Sequence, residues 1–160
     1  MLPTKINNYG YQTEPQPGLN GRRGYQPRGK TLGGSSSINA MLYVRGHRSD
    51  YDHWAALGNA GWSFDEVLPL FRRAENNERF RQDSFHGTGG PLNVADLTSP
   101  SDIDEAFVRA AVNHGIPRTS DYNGAEQFGS FHYQVTQKGG ERWSAAKGYL
   151  TPNLSRPNLK

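Results

Sequence analysis

Two adjacent glycines followed by three serines are the residues of this chain best suited to holding a ligand. Gly33 and Gly34 allow the backbone to approach another group closely, and the serines at 35–37 add hydroxyls and backbone amides at what could be a helix start. Ile38 and Leu42 lie four residues apart and would bury one side of a short helix. The pattern favours a phosphate or another anion here, although a plain Gly-Ser loop with a capped helix behind it fits equally well.

A second pattern, from Gly24 to Thr31, matches the P-loop of nucleotide triphosphatases. A P-loop must follow a buried apolar strand and open a helix, whereas residues 17–23 do not form a strand pattern. Gly33 and Gly34 follow it, and each would cost about 1 kcal/mol in a first helical turn. A P-loop nucleotide-binding protein is therefore the alternative interpretation.

The net charge of +3 is too small to indicate a nucleic-acid partner, and we predict none. Most of the excess lies in one stretch that contains Arg22, Arg23, Arg28 and Lys30. This stretch is either an exposed basic loop or an anion site. A third interpretation is a non-enzymatic interaction module that uses the aromatic and basic N-terminal segment to bind an acidic partner.

The chain contains no Cys, which excludes disulfides, thiolate catalysis and cysteine metal sites. No apolar run reaches the roughly 18 residues of a transmembrane helix. We therefore expect the cytoplasm as the compartment, with peripheral membrane attachment as the variant.

Two helices are predicted in the first half of the chain. The first spans 49–57, with Ser49 as its N-cap and Gly58 at its end. The second opens at Ser63 with a capping box, and Pro69 is expected to kink or interrupt it.

A third helix is predicted to start at Ser99 as the N-cap, with Pro100 in its first position, and to end at Gly115. Its expected buried face consists of Ile103, Phe107 and Ala110 or Ala111.

Short strands are predicted at 92–94 and 131–136, the latter closed by a Gly139-Gly140 turn, and a short helix at about 144–150. In the second strand, Phe131, Tyr133 and Val135 alternate with a polar face of His132, Gln134 and Thr136, which predicts a half-buried strand. Gly and Pro together make 29 of 160 residues, about 18%, against an average of roughly 12%. We therefore expect mixed α and β structure with many loops.

The stretch from Gly29 to Tyr43 resembles the first signature of the glucose-methanol-choline (GMC) oxidoreductases, and other segments fit the same family in the same order. They are Gly-Trp-Ser-Phe at 61–64 with Leu-Pro-Leu-Phe-Arg-Arg-Ala-Glu at 68–75, Phe-His-Gly-Thr-Gly-Gly-Pro-Leu at 85–92, Asp-Tyr-Asn-Gly at 121–124 and Arg-Trp-Ser-Ala-Ala at 142–146. The resemblance runs from about Asn7 to Leu159 and is strongest for the alcohol and choline dehydrogenase branch. It implies an α/β fold, with part of an FAD-binding domain at 1–91 and the start of a substrate-binding domain at 92–160.

The resemblance also implies a flavin site, because in this family the Gly-Gly-Ser loop lies along FAD between its pyrophosphate and its isoalloxazine ring. The implied cofactor-binding residues are Gly33, Gly34, Ser35, Asn39, Ala40, Met41 and Leu42. Backbone amides near Ser35 and Asn39 would donate to flavin or phosphate oxygens, and the short Ala40 would leave room beside the ring. Some members carry a His that bonds covalently to the flavin where this chain has Ile38, so we expect non-covalent FAD. We expect no metal, since no two His have ligand spacing on one helix face.

The implied reaction is FAD-dependent oxidation of the CH–OH group of an alcohol donor, with hydride transfer to flavin N5. The electron acceptor, a quinone or oxygen, is not assigned by the sequence. The family's Gly-x-Gly-x-x-Gly turn does not occur in these 160 residues, and its catalytic His lies near the C-terminus of full-length members. We therefore expect an internal fragment with weak flavin affinity and no turnover of its own. None of its histidines is assigned a catalytic role: His47, His53, His86, His114 and His132.

Overall fold

The computed structural model describes residues 6–81 and 83–159. The chain divides into two compact units, one formed by Met1–Ala40 with Trp143–Lys160 and the other by Met41–Arg142. The expected domain boundary between residues 91 and 92 stays a prediction, because it refers to the larger family fold.

The first unit begins with a short antiparallel hairpin of β1 (Tyr11–Gln12) and β2 (Tyr25–Gln26), joined through a 3₁₀ turn at Pro17–Leu19. A second 3₁₀ turn covers Gly34–Ser37. Near the end of the chain, a π turn at Ala146–Leu150 leads into a 3₁₀ turn at Thr151–Asn153. The helix predicted at 144–150 is thus present as a wider turn, and Pro152 has no N–H with which to extend it as a regular helix.

The second unit opens with α1 (Arg48–Ala56) and α2 (Phe64–Ala74). His47, not Ser49, is the N-cap of α1, because its ring accepts from the Ser49 amide at 3.2 Å. The capping box predicted at Ser63 is confirmed. Pro69 lies within an uninterrupted α2, so the predicted interruption is wrong, while the alternative of a kink stays a prediction.

Helix α3 (Asp102–Asn113) is capped by Ser101 and ends at His114, so the N-cap predicted at Ser99 is two residues too early. The predicted buried face is also wrong. Ile103 and Phe107 are 78% and 75% exposed, and Val108 is the buried residue of this helix. The helix therefore buries one side chain in the core, whereas the spacing of its apolar residues predicted a whole buried face.

The remaining strands are short. β3 (Glu75–Asn77) and β4 (Leu92–Val94) pair in parallel, and β5 (Gln137–Lys138) and β6 (Glu141–Arg142) form a hairpin around the predicted glycine turn. Of the strand predicted at 131–136, the structure has bridges at Val135 alone, which pairs with Leu42 and with Ala95. Its alternation also fails, because Gln134 is fully buried while Tyr133 is 39% exposed.

The buried hydrophobic residues among the described part of the chain all belong to the second unit: Phe64, Val67, Val94, Ala95, Val108, Tyr122 and Val135. An unusually large set of polar side chains is buried beside them, including Arg45, Glu75 and His86. No helix in residues 6–81 or 83–159 is both long enough and apolar enough to cross a membrane.

Candidate functional site

The glycine-serine loop is built on tight backbone packing. A Cβ on Gly29 would lie 2.2 Å from the Gly34 carbonyl oxygen, so only glycine permits this approach. Gly33 and Gly34 both adopt left-handed φ values, +84° and +56°, a conformation that glycine reaches without the steric cost of a side chain. The loop therefore depends on its glycines for its shape.

The two adjacent glycines have different surroundings. A Cβ on Gly33 would lie 2.5 Å from the Ser37 hydroxyl and 3.2 Å from Ala146, so Gly33 is packed against protein. Nothing lies within 4 Å of the corresponding point on Gly34. The side of Gly34 where a side chain would stand is thus open.

The three serine hydroxyls serve the loop itself. Ser35 Oγ accepts from the Gly29 amide at 3.2 Å. Ser36 Oγ donates to the Gly33 carbonyl at 2.5 Å and accepts from the Ala145 amide at 2.9 Å, while Ser37 Oγ donates to the Leu32 carbonyl at 2.7 Å. These hydroxyls therefore have partners within the protein, and their contact with a ligand stays a prediction.

The expected amide donor at Asn39 is also used within the loop, since the Asn39 N–H donates to the Ser35 carbonyl at 2.9 Å. Ala40 is exposed. Of the predicted flavin-contact residues, Gly33, Gly34, Ser35, Asn39 and Ala40 belong to the first unit.

Met41 and Leu42 belong to the second unit. Met41 has a φ of +65°, which costs about 1–2 kcal/mol for a residue with a Cβ. Its carbonyl accepts from the Thr136 amide at 2.8 Å, and this bond fixes the segment. Leu42 is 50% exposed.

The following residues, 43–45, are held by a closed ring of buried polar groups in the second unit. His86 is its centre: Nδ1 faces Glu75 at 3.0 Å and Nε2 faces Asp121 at 3.0 Å. Glu75 accepts from Arg45 Nη2 at 2.7 Å, and Asp121 accepts from the Asn123 amide at 3.1 Å. Asn123 Oδ1 closes the ring by accepting from the Arg45 amide at 2.9 Å.

The charge state of the ring follows from its geometry. Both ring nitrogens of His86 face carboxylate oxygens, so both must carry protons. Burial alone would lower the pKa of His86, but the hydrogen bonds and charges of Asp121 and Glu75 outweigh it and raise the pKa to about 9. Burial would likewise raise the pKa values of the two carboxyls, yet their hydrogen bonds to His86 hold both below the usual range. Two cations thus face two anions.

Sequence reasoning assigned His86 no catalytic role, and it missed the ring. Glu75, His86 and Asp121 each lie in a different family-like segment. Polar residues flank Glu75 on both sides, Arg72 and Arg73 before it and Asn76 and Asn77 after it, so no local pattern marked this carboxylate as buried.

Comparison with known proteins identifies the family of this chain. A sequence model of the GMC oxidoreductases matches residues 9–160. The chain belongs to the GMC oxidoreductase family.

Individual GMC relatives extend over nearly all of this chain. It is 47% identical over 156 residues to an alcohol dehydrogenase [acceptor] of Pseudomonas putida, covering 98% of this chain and 28% of the relative. It is 48% identical over 161 residues to an oxygen-dependent choline dehydrogenase of Brucella anthropi, covering 99% of this chain and 29% of that relative. The chain therefore spans under a third of the length of the curated relatives it matches.

Solved structures agree with the fold. Pyridoxine 4-oxidase from Mesorbium loti superimposes with a TM-score of 0.87 at 34% identity, over 95% of this chain and 30% of that one. An FAD-dependent oxidoreductase from Chaetomium thermophilum gives 0.84 at 28% identity, over 99% of this chain and 31% of that one. The mixed α/β fragment of a GMC FAD-binding fold expected from the sequence is confirmed.

The GMC assignment leaves no support for the P-loop alternative. Residues 25–26 form β2, and the turn that follows at Gly34–Ser37 is a short 3₁₀ turn, not the helix that a P-loop opens. Lys30, which would be the phosphate-binding lysine of a P-loop, has its Nζ 5.6 Å from the centre of the Tyr9 ring.

The four other histidines of this GMC chain lie in the second unit, each in or next to a helix or beside a carboxylate of that unit. His47 caps α1, His53 is exposed on it, and His114 is the C-cap of α3. His132 Nε2 lies 2.8 Å from Glu105. No catalytic role was predicted for them, and their contacts are those of capping and ion-pairing groups.

Proposed function

We propose that this chain supplies the flavin-contact loop of an FAD-dependent oxidoreductase that oxidises the CH–OH group of an alcohol donor. The observation that carries the proposal is the open, left-handed backbone at Gly34, in a loop whose sequence fits the family's first signature. The names of the alcohol and choline dehydrogenase relatives support an alcohol as the substrate class.

The loop fits FAD as a backbone surface more than as a set of side-chain donors. Gly34 leaves room for close approach, whereas the serine hydroxyls and the Asn39 amide are already bonded within the loop. When bound, FAD would accept the hydride of the alcohol at N5. The proposed contacts are Gly33, Gly34, Ser35, Asn39, Ala40, Met41 and Leu42, with Ser35 and Asn39 shaping the loop.

Non-covalent attachment follows from Ile38, because an aliphatic side chain offers no nucleophile to the flavin. Denaturing the FAD-loaded chain in acid should release all flavin into the supernatant. Flavin that stays with the precipitated protein would contradict this part of the proposal.

The loop's role can be tested by titrating FAD with the chain and following flavin fluorescence. Gly34→Val places a branched side chain in the open space and should weaken binding at least about tenfold. Gly139→Val is the matched control, since its φ of +57° is nearly the same and its surroundings are equally open. Equal losses in both variants, or none in either, would contradict the assignment of Gly34.

We further propose that the isolated chain has no turnover, because its 160 residues contain no Gly-x-Gly-x-x-Gly turn and the family resemblance assigns none of its histidines as the base. Anaerobic mixing of the FAD-loaded chain with choline or a primary alcohol should leave the flavin oxidised. Bleaching of the flavin absorbance would refute this. The cytoplasm, with or without peripheral membrane attachment, stays the predicted compartment, and oxygen and a quinone both stay candidate acceptors.

A further inference from the structure

Three arginines line one cavity in the second unit without forming ion pairs. The cavity has a volume of about 530 Å³ and is lined by Arg72, Arg73 and Arg81 together with Asp83, Gly87 and Thr88 and neighbouring residues. None of the three guanidinium groups makes a salt bridge with a carboxylate of residues 6–81 or 83–159. Elsewhere in the second unit, Arg45, Arg48, Arg79 and Arg118 have carboxylate partners.

Two of the arginines that line the cavity are held in place by hydrogen bonds from Nε to backbone carbonyls. Arg72 donates from Nε to the His86 carbonyl at 3.1 Å, and Arg81 donates from Nε to the Glu78 carbonyl at 3.1 Å. A Cβ on Gly87 would lie 1.8 Å from the Arg72 carbonyl oxygen, so the loop and the end of α2 are in direct backbone contact. The terminal nitrogens of both arginines stay free for a ligand.

The charge of the lining is positive. Asp83 is the one acidic residue in it, against three arginines. His86 also lines the cavity, but its charge is balanced within the buried ring by Glu75 and Asp121. An anion is therefore the favoured occupant.

A metal ion is the competing occupant, because donor atoms of Asp83, His86 and Asp121 all lie within 4.8 Å of one another. Both ring nitrogens of His86 face carboxylates, so a metal would have to displace the Nε2 proton and its hydrogen bond to Asp121. Three arginines beside the site would also repel a cation. The geometry decides against a metal.

Helix-dipole stabilisation explains only part of the cluster. Arg72 and Arg73 lie in the last turn of α2, where cations are favourable. Arg81 lies outside any helix, so its place in the same cavity needs another reason. We propose that this cavity is a binding site for a small soluble ligand that carries a phosphate group, gripped by the guanidinium forks of Arg72, Arg73 and Arg81.

The test is a titration of the ¹⁵N-labelled chain with inorganic phosphate at constant ionic strength, followed by NMR. Amides of residues 87–88 and the arginine side-chain resonances should shift and saturate. Arg73→Gln combined with Arg81→Gln should weaken the affinity at least about tenfold, since charge-assisted hydrogen bonds are lost. Arg109→Gln is the matched control, because Arg109 is an exposed arginine of α3 outside the cavity and should leave the affinity unchanged.

Arg73→Lys keeps the charge but loses the fork, and should give an intermediate affinity. Shifts that never saturate, or equal losses in the control, would overturn the proposal. A second arm mixes the chain with phosphatidylcholine vesicles that contain phosphatidic acid. Arginine-dependent binding to these vesicles without saturable phosphate binding would assign the cluster to a membrane surface and also overturn the proposal. Because FAD is absent from both arms, the outcome is independent of the proposed flavin role.

Discussion

The glycine-serine loop and the His86 ring use polar residues in different ways. In the loop, hydroxyls and amides bond to one another, and one glycine is left bare toward open space. In the ring, full charges are buried and balanced around an imidazolium. The loop's unit contains none of the buried hydrophobic residues of the described chain, whereas the ring lies in the unit that contains them all. The ring's unit should therefore carry most of the stability, and the loop's unit should be the easier one to open.

The largest expected effect comes from removing one charge of the ring. Glu75→Gln leaves Arg45 and His86 buried with one fewer anion and should cost about 3–5 kcal/mol of unfolding free energy. Urea denaturation measures this. Glu105→Gln is the control, since Glu105 pairs with Arg118 and His132 on the surface and its loss should change stability far less. Similar costs for both variants would mean that the ring is not the stabilising element.

The next effect is a loss of stability at alkaline pH. The pKa of His86 is raised from 6.5 to about 9, so its contribution is complete below pH 6.5 and disappears as the pH rises through 9. The loss should be about 3 kcal/mol between these limits. At the acid end, the lowered pKa values of Glu75 and Asp121 predict a second loss as the pH falls below their usual values.

Urea midpoints measured from pH 6 to pH 10 would show the alkaline loss, and His86→Gln should flatten the profile in that range. A profile that keeps its alkaline slope in the variant would place the titrating group elsewhere.

A smaller and local effect is expected in the loop. Gly29→Ala forces a methyl group against the Gly34 carbonyl and should cost about 1–3 kcal/mol. Hydrogen exchange should accelerate at residues 29–39 and stay unchanged in 41–142, because residues 41–142 form a compact unit of their own. Gly18→Ala is the control, since nothing lies within 4 Å of the added carbon. Faster exchange throughout the chain would show that the loop and the core unfold together.

The smallest effect concerns α3. Ile103→Gln should change stability by no more than about 0.5 kcal/mol, because the side chain is largely exposed. Val108→Ala on the same helix should cost about 2 kcal/mol, because its side chain is buried. Thermal unfolding of both variants would measure the two losses of stability. A large loss for Ile103→Gln would mean that Ile103 is buried, as the apolar spacing predicted.

These regions also show what the sequence could predict. Local signals worked where the determinants are local: the Ser63 capping box, the Gly139-Gly140 turn and the short strand at Leu92–Val94 were all found. The family resemblance singled out the glycine-serine loop from the sequence, and its contact with flavin stays a prediction. The N-caps of α1 and α3 were misplaced by two residues, because several residues near each helix start can cap it.

The tertiary features could not be predicted from the same signals. The His86 ring joins residues as far apart in sequence as Arg45 and Asn123, so no local spacing indicates it. Gln134 was expected on a polar face but is buried, because its amide bonds to Asn77 and Asp96 across the core. Buried polar networks of this kind depend on long-range partners that periodicity does not reveal.

The most direct test of the central claim is an NMR map of FAD binding to the ¹⁵N-labelled chain at millimolar FAD, where weak binding is visible. Our account predicts shifts concentrated at residues 33–42, with little change at 24–31. Shifts centred on 24–31, or spread evenly over the chain, would contradict the assignment of the glycine-serine loop as the flavin-contact site.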